Sequence, residues 1–306
     1  MGRLRVTVET LAGLMIFIGA CSPAAPQPAN VMNVIGEAGR GPGAFAYPRG
    51  IASAADGTFY VVDKSARVQR FAADGTFLVE WKMPDYAGGK PVGLSVHGDG
   101  RVFVADTHYH RVVVYEADGA ELARFGAEGD GDGQFRLPTD VAFDAAGFVY
   151  VAEYGGNDRI TQWSPELTFD RVVVAGEVGG EPMQRPAAIV IDDEQTLWVA
   201  DACNHRILRF SLDGRLLHSF GTLGRDAGQM RYPYGLDIDA EGRLVVCEYG
   251  NCRVQWFDRT GRSLGMWGGA GREVGQLNSP WGVFCRANGV VYVLDSLNMR
   301  VQVFRR

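Results

Sequence analysis

The chain of 306 residues lacks any apolar run near its start long enough to cross a bilayer. Leu11–Ala20 holds ten residues, about half of what a spanning helix needs. Positive charge is not in excess either. Thirty Lys and Arg stand against 36 Asp and Glu, a formal net charge of −6, whereas a nucleic-acid partner calls for a basic field that displaces counterions. Cysteines number five and none is spaced Cys-x-x-Cys, which removes the usual signature of a redox dithiol. The His-Glu-x-x-His, Gly-x-Ser-x-Gly and P-loop signatures are missing as well. Glycine, by contrast, is abundant at 41 residues, which points to a fold with many turns. With 46% hydrophobic and 22% charged residues, the composition is that of a globular protein.

The first 21 residues, "MGRLRVTVETLAGLMIFIGAC", place two arginines before the apolar run and small residues before a cysteine. A core of this length suits an export signal. The closing "IGAC" resembles the lipobox of bacterial lipoproteins, which implies cleavage before Cys21 and lipid attached to that cysteine. Residues 1–20 are therefore expected to be a signal peptide, and residues 21–30 the lipidated cysteine and an extended Pro/Ala tether. Ser22 after the cysteine implies the outer membrane, on its periplasmic or surface face. Without residues 1–20, 28 basic residues face 35 acidic ones, so the exported chain stays acidic.

The rest of the chain repeats itself. Prolines stand at 48, 91, 138, 186, 233 and 280, and fifteen residues after each comes an acid: Asp63, Asp106, Glu153, Asp201, Glu248 and Asp295. Four to six residues further on is an arginine: Arg67, Arg111, Arg159, Arg206, Arg253 and Arg300. Each arginine opens a short run such as "RVQRF", "RVVVY" or "RVQVF". Turn pairs separate the strands, among them Asp56-Gly57 and Asp99-Gly100 before the acid, and Asp74-Gly75 and Asp213-Gly214 after the arginine strand. The unit is a four-stranded antiparallel meander of about 46 residues, the length of one propeller blade. The sixth copy stops after its third strand, and "VMNVIG" at 31–36 matches the missing fourth. The expected architecture is all-β: a six-bladed β-propeller over residues 31–306, its last blade closed by the N-terminal strand, which leaves no open edge.

The Gly-rich loop, the proline, "VAD", "N-x-R" or "N-H-R", then "hQhF" and a glycine turn resemble the NHL repeat over nearly all of residues 31–306. That family includes protein-binding and RNA-binding modules as well as lyases, so the resemblance implies the fold and not one activity. The acids and arginines recur in every copy and are read as ties within each blade, including Asp201 and His205-Arg206 in "VADACNHRILRF".

Site residues should break the repeat. The position after each proline is expected to rim the central channel, and it holds Arg49, Val92, Thr139, Ala187, Tyr234 and Trp281. Arg49, Tyr234 and Trp281 fall on neighbouring blades one, five and six, and aromatics with arginine are the usual anchors of a recognition patch. Thr139, Asp140, Tyr154 and Tyr249 complete the candidate ligand-binding set, with Asp140 the best isolated candidate for a general base. No metal or cofactor is expected. Resemblance to the NHL-type lyases that act on peptidyl-hydroxyglycine implies channel histidines after the prolines, and none stands there. His108 and His110 share one loop and are read as structural or solvated, since zinc gathers three or four ligands. "GDGDGQF" at 129–135 is similar to a calcium loop but lacks its third acid and closing glutamate, and is read as a polar glycine turn. Cys203 and Cys252 lie in corresponding loops of blades four and five, either as a disulfide or as two free thiols, and Cys247 and Cys285 are read as core. The expected function is a lipid-anchored, extracytoplasmic binding module for an envelope protein, peptide or glycan, with no nucleic-acid partner. The alternative is a channel-based lyase or hydrolase, peptidyl-hydroxyglycine-lyase-like or streptogramin-lyase-like.

Overall fold

The second strand of every copy is apolar on both faces, as in Phe59–Asp63 ("FYVVD") and Val102–Asp106 ("VFVAD"), and both of these strands are buried along their whole length. A strand of that kind needs cover on two sides. A ring of blades packed face to face supplies it. The computed structural model describes residues 31–306; the expected export signal, Cys21 and the expected tether lie outside the described residues.

Blade one consists of Pro48–Ser53, Phe59–Asp63, Arg67–Phe71 and Phe77–Lys82, antiparallel and in sequence order. Blades two to five repeat this order over 93–125, 137–175, 186–220 and 233–268. Blade six takes Gly282–Cys285, Val290–Asp295 and Arg300–Arg305 from the end of the chain, and its fourth strand is Val31–Ile35. That strand pairs antiparallel with Arg300–Arg305, placing Ile35 opposite Val301. The ring therefore closes by joining the two ends of the sequence. Six apolar clusters fill the six blade interfaces. In one of them Tyr60, Val62 and Val68 of blade one meet Leu94, Val102 and Val104 of blade two; in another Phe59 and Val61 of blade one meet Tyr292 and Leu294 of blade six. The outermost strands are less buried than the inner ones, and Phe77–Lys82 alternates between half-buried and exposed residues, since successive side chains point to opposite faces.

All six acid–arginine ties form, with Nε or Nη to carboxylate distances of 3.1, 2.9, 2.5, 2.7, 2.6 and 2.8 Å from blade one to blade six. The second carboxylate oxygen usually takes a backbone N–H from the loop before the proline: Asp201 accepts from Gln184 at 2.7 Å and Asp295 from Asn278 at 2.7 Å. The "hQhF" glutamines hold the same loops. The Oε1 atoms of Gln69, Gln255 and Gln302 accept from Gly43, Gly228 and Gly275, each at 2.8 Å. The repeated acids are buried and most of their polar atoms are paired, as buried polar groups usually are; Asp106 Oδ1 and Arg67 Nε are the exceptions among the six ties.

Candidate functional site

The residue after each proline is aimed by a defect in the strand ladder. In blades one, three, four and five the register skips this residue, pairing Pro48 with Asp63 and then Gly50 with Val62, and so on around the ring. Such a bulge turns a side chain out of the sheet, here toward the channel mouth. Two positions after the proline the inner strands approach closely. A Cβ on Gly93 would lie 2.0 Å from the carbonyl oxygen of Thr139, which is why glycine or alanine occupies this slot in every blade but the third. There it is Asp140.

The mouth carries one continuous wall of stacked side chains. The Arg49 guanidinium lies 4.0 Å over the Trp281 ring. Trp281 and Tyr234 have centroids 4.7 Å apart, and Tyr249 packs on both, at 5.0 Å from Tyr234 and 5.5 Å from Trp281. Arg185 then sits 5.0 Å over Tyr234 and 4.7 Å over Tyr154. All six are half-buried. The structure thus unites Arg49, Tyr154, Tyr234, Tyr249 and Trp281 and adds Arg185, which the sequence reading missed. Its signal was the slot just before the proline, where Tyr47, Lys90, Leu137, Arg185, Tyr232 and Ser279 form a second ring as variable as the first. Burial, and then the charge of Arg185, hold the Arg49 guanidinium below its ordinary pKa. Burial pushes the Tyr234 phenol up.

Thr139 reaches the ring, but its hydroxyl is committed: it donates to Pro186 O at 2.6 Å and contacts Ala152 O at 3.1 Å. Asp140 stands inside the channel and not on the rim. Behind the wall lies a cavity of about 270 Å³ lined by the first strands of all six blades, with Asp140 and Asp237 on its surface. Asp140 Oδ2 accepts the Ile189 N–H at 3.0 Å and Oδ1 the Ser95 hydroxyl at 3.4 Å, so one side chain links blades two, three and four. Asp237 Oδ2 accepts the Cys285 N–H of blade six at 2.7 Å. Both carboxyls are partly open to the cavity yet enclosed by protein. Burial pushes Asp140 up to about 7, with the charge of Asp237 adding to the effect, and pushes Asp237 up to about 6.

Two loop expectations resolve differently. The bridge between Cys203 and Cys252 is not made, and both are free thiols. Their loops correspond, but their slots do not. Cys252 occupies the left-handed position before the arginine, φ 52°, in line with His205 at 57° and Met299 at 54°. Side chains in that slot reach forward: His205 Nδ1 accepts from Tyr232 N–H and Met299 Sδ from Tyr47 N–H, each at 3.1 Å. Cys203 lies two residues earlier, in a 3-10 turn whose backbone faces Gln184 of its own blade. Cys247 and Cys285 pack in the cluster between blades five and six. His108 and His110 also diverge, the first against Lys90 of its own blade and the second against Arg136 O of blade three. Asp130 of the glycine turn pairs with Arg136, its Oδ1 accepting from Nε at 2.7 Å. Among the described residues no three His, Cys, Asp or Glu converge as a metal site.

A six-bladed propeller with an aromatic and arginine-rich channel mouth is the class of protein that the fold and this geometry define. The NHL repeat family matches residues 89–115, 183–210 and 230–257, so copies two, four and five of the propeller carry NHL repeats. It is 31% identical over 176 residues to peptidyl-glycine alpha-amidating monooxygenase A of Xenopus laevis, covering 53% of this chain and 17% of that protein. It is 27% identical over 133 residues to the protein brain tumor of Drosophila melanogaster, covering 43% of this chain and 12% of that one. The chain thus spans less than a fifth of the length of either relative. Among solved structures, a streptogramin B lyase superposes with a TM-score of 0.64 at 16% identity, covering 90% of this chain and 87% of that one. At that identity the likeness is one of fold.

Proposed function

We propose that this protein is a binding module carried outside the cytoplasm by a lipid on Cys21, and that its channel mouth recognises a protein, peptide or glycan of the bacterial envelope. The observation that carries this reading is the wall from Arg49 through Trp281 and Tyr234 to Arg185. Its members break the repeat, stack on one another and stay half-buried at one face, the composition and placement of a binding hot spot. The acidic charge and the export signal support a partner in the envelope over a nucleic acid.

Screened against arrays of envelope peptides and glycans, the wild-type protein is expected to retain a defined subset. The combined variant Arg49→Ala, Tyr234→Ala, Trp281→Ala should lose that binding by about a hundredfold or more while keeping the β-sheet circular dichroism and one cooperative unfolding transition, at a lower temperature because packed aromatic surface is removed. Retention by the folded variant would remove the mouth from the reading. The anchor is tested separately. Cells fed labelled palmitate should label the wild type and not Cys21→Ala, and label on the variant would sink lipidation at this residue.

A second reading places a lyase or hydrolase in the channel. It is favoured by Asp140 and Asp237, two carboxyls on the cavity wall with raised pKa values, and by the likeness of fold to a streptogramin B lyase. A histidine-held metal does not fit the residues present, since the ring after the prolines has none. Turnover of a streptogramin or a peptidyl-hydroxyglycine by the purified protein, lost in Asp140→Asn, would establish this reading instead.

A further inference from the structure

Resting on the mouth as a binding site, we infer that its ligand is an anion attached to a planar or apolar group, the charge held between Arg49 and Arg185 and the plane laid against Tyr234 and Trp281. The wall begins and ends in a guanidinium. Arg49 covers Trp281, Arg185 covers Tyr234, and the two rings touch, so the two cations flank one aromatic surface.

Neither guanidinium has a carboxylate partner within salt-bridge distance among the described residues, although the six repeat arginines all tie to buried acids. Asp158 accepts the backbone N–H of Arg185, while the Arg185 side chain makes no salt bridge to it. Burial and the repulsion of Arg185 act against the Arg49 charge, and its other ionisable neighbours are Tyr154, Tyr249 and Tyr234, with no carboxylate among them. Lys64 stacks at 4.5 Å on Tyr47 and feels the repulsion of Arg49 and Lys90. A chain of net charge −6 therefore gathers Arg49, Lys64, Lys90 and Arg185 at one opening and leaves them uncompensated. Bringing like charges together in a half-buried site is unfavourable unless something supplies the opposite charge. Cation–π contact offsets part of that penalty, and an anion bonded to both guanidiniums removes the rest.

The test uses the full-length protein in detergent and titration calorimetry with four probes. These are N-acetyl-phenylalanine, its neutral amide, phenyl phosphate and inorganic phosphate. Both aromatic anions should bind, the amide about tenfold more weakly than the acid, and inorganic phosphate more weakly than phenyl phosphate. The ratio of N-acetyl-phenylalanine to phenyl phosphate affinity tells whether the natural charge is a carboxylate or a phosphate. Arg49→Gln with Arg185→Gln should erase the preference of acid over amide, and Tyr234→Ala with Trp281→Ala should weaken both. Equal binding of acid and amide, or a preference that survives in the glutamine variant, overturns the inference. In that case loss of amide binding in the aromatic variant would still uphold the mouth as the binding site. No heat from any aromatic anion at millimolar concentration also overturns the inference, and the array screen then decides on the mouth independently.

Discussion

Arg206→Ala is expected to destabilise the propeller by about 3–5 kcal/mol, the usual consequence of removing one member of a buried ion pair. Arg206 is 6% exposed and Asp201 is fully buried. Their contact is 2.7 Å, and the same guanidinium reaches Glu181 Oε1 at 2.8 Å and Val178 O at 3.2 Å. Without it the Asp201 carboxylate keeps only the N–H of Gln184 and the amide of Asn204, at 2.9 Å. Burial already pushes this carboxyl up, and the loss of the cation raises it further. The folded variant then holds a proton that the unfolded chain releases, so its stability declines as pH rises above the ordinary carboxylate range, and the defect is larger at pH 8 than at pH 4. Arg124→Ala is the control, since its partner Glu121 and Arg124 itself are well exposed and such a pair contributes about 0–1 kcal/mol. Urea midpoints at both pH values decide the matter. Equal midpoints for the two variants would show that the repeated acid–arginine tie is not what holds a blade. Arg206 also clasps the loop that leads to Arg185, so ligand binding at the mouth should weaken with it.

Asp140→Asn is expected to act in the opposite direction and to stabilise the fold by roughly 2–4 kcal/mol at pH 8. The folded carboxyl titrates near 7, against an ordinary value of 3.8. Between these values the folded chain binds a proton that the unfolded chain does not, so stability falls as pH rises through this window and the loss is complete above about 7. Asparagine carries no charge and keeps the geometry, its oxygen accepting from Ile189 N–H and its amide donating to the Ser95 hydroxyl. The variant should therefore match the wild type at pH 4 and exceed it at pH 8 in urea or thermal unfolding. A wild-type pH dependence retained in the variant would refute the assignment of that cost to Asp140.

The order of elements was legible because blades are local. A proline, an acid fifteen residues later and an arginine soon after recur with each meander, and the turn pairs between them act over four residues. The closing strand at 31–36 was legible for the same reason, since a unit missing one strand calls for another of the same pattern. The ties from acid to arginine followed from burying like residues at a repeated position. Five of the six stacked residues at the mouth were named from the sequence too: Arg49, Tyr234 and Trp281 depart from a repeat whose frame is otherwise constant, and Tyr154 and Tyr249 follow the acid in two of the loops beside them.

The remainder depends on what lies across the ring. Arg185 joins the mouth because its left-handed backbone, φ 59°, and the approach of blades three, four and five carry it over Tyr154 and Tyr234. Thr139 loses its hydroxyl to a neighbouring carbonyl, and Asp140 turns into the channel to meet backbone groups of another blade. Cys203 and Cys252 remain apart because two residues within a loop decide whether a side chain faces its own blade or the next. Strand period, turn chemistry and the count of blades are short-range properties, so the sequence by itself determined them. Which side chains from separate blades converge is set by the bulges and by the inner width of the closed ring, distances that no repeat period encodes, and only the tertiary structure decided it.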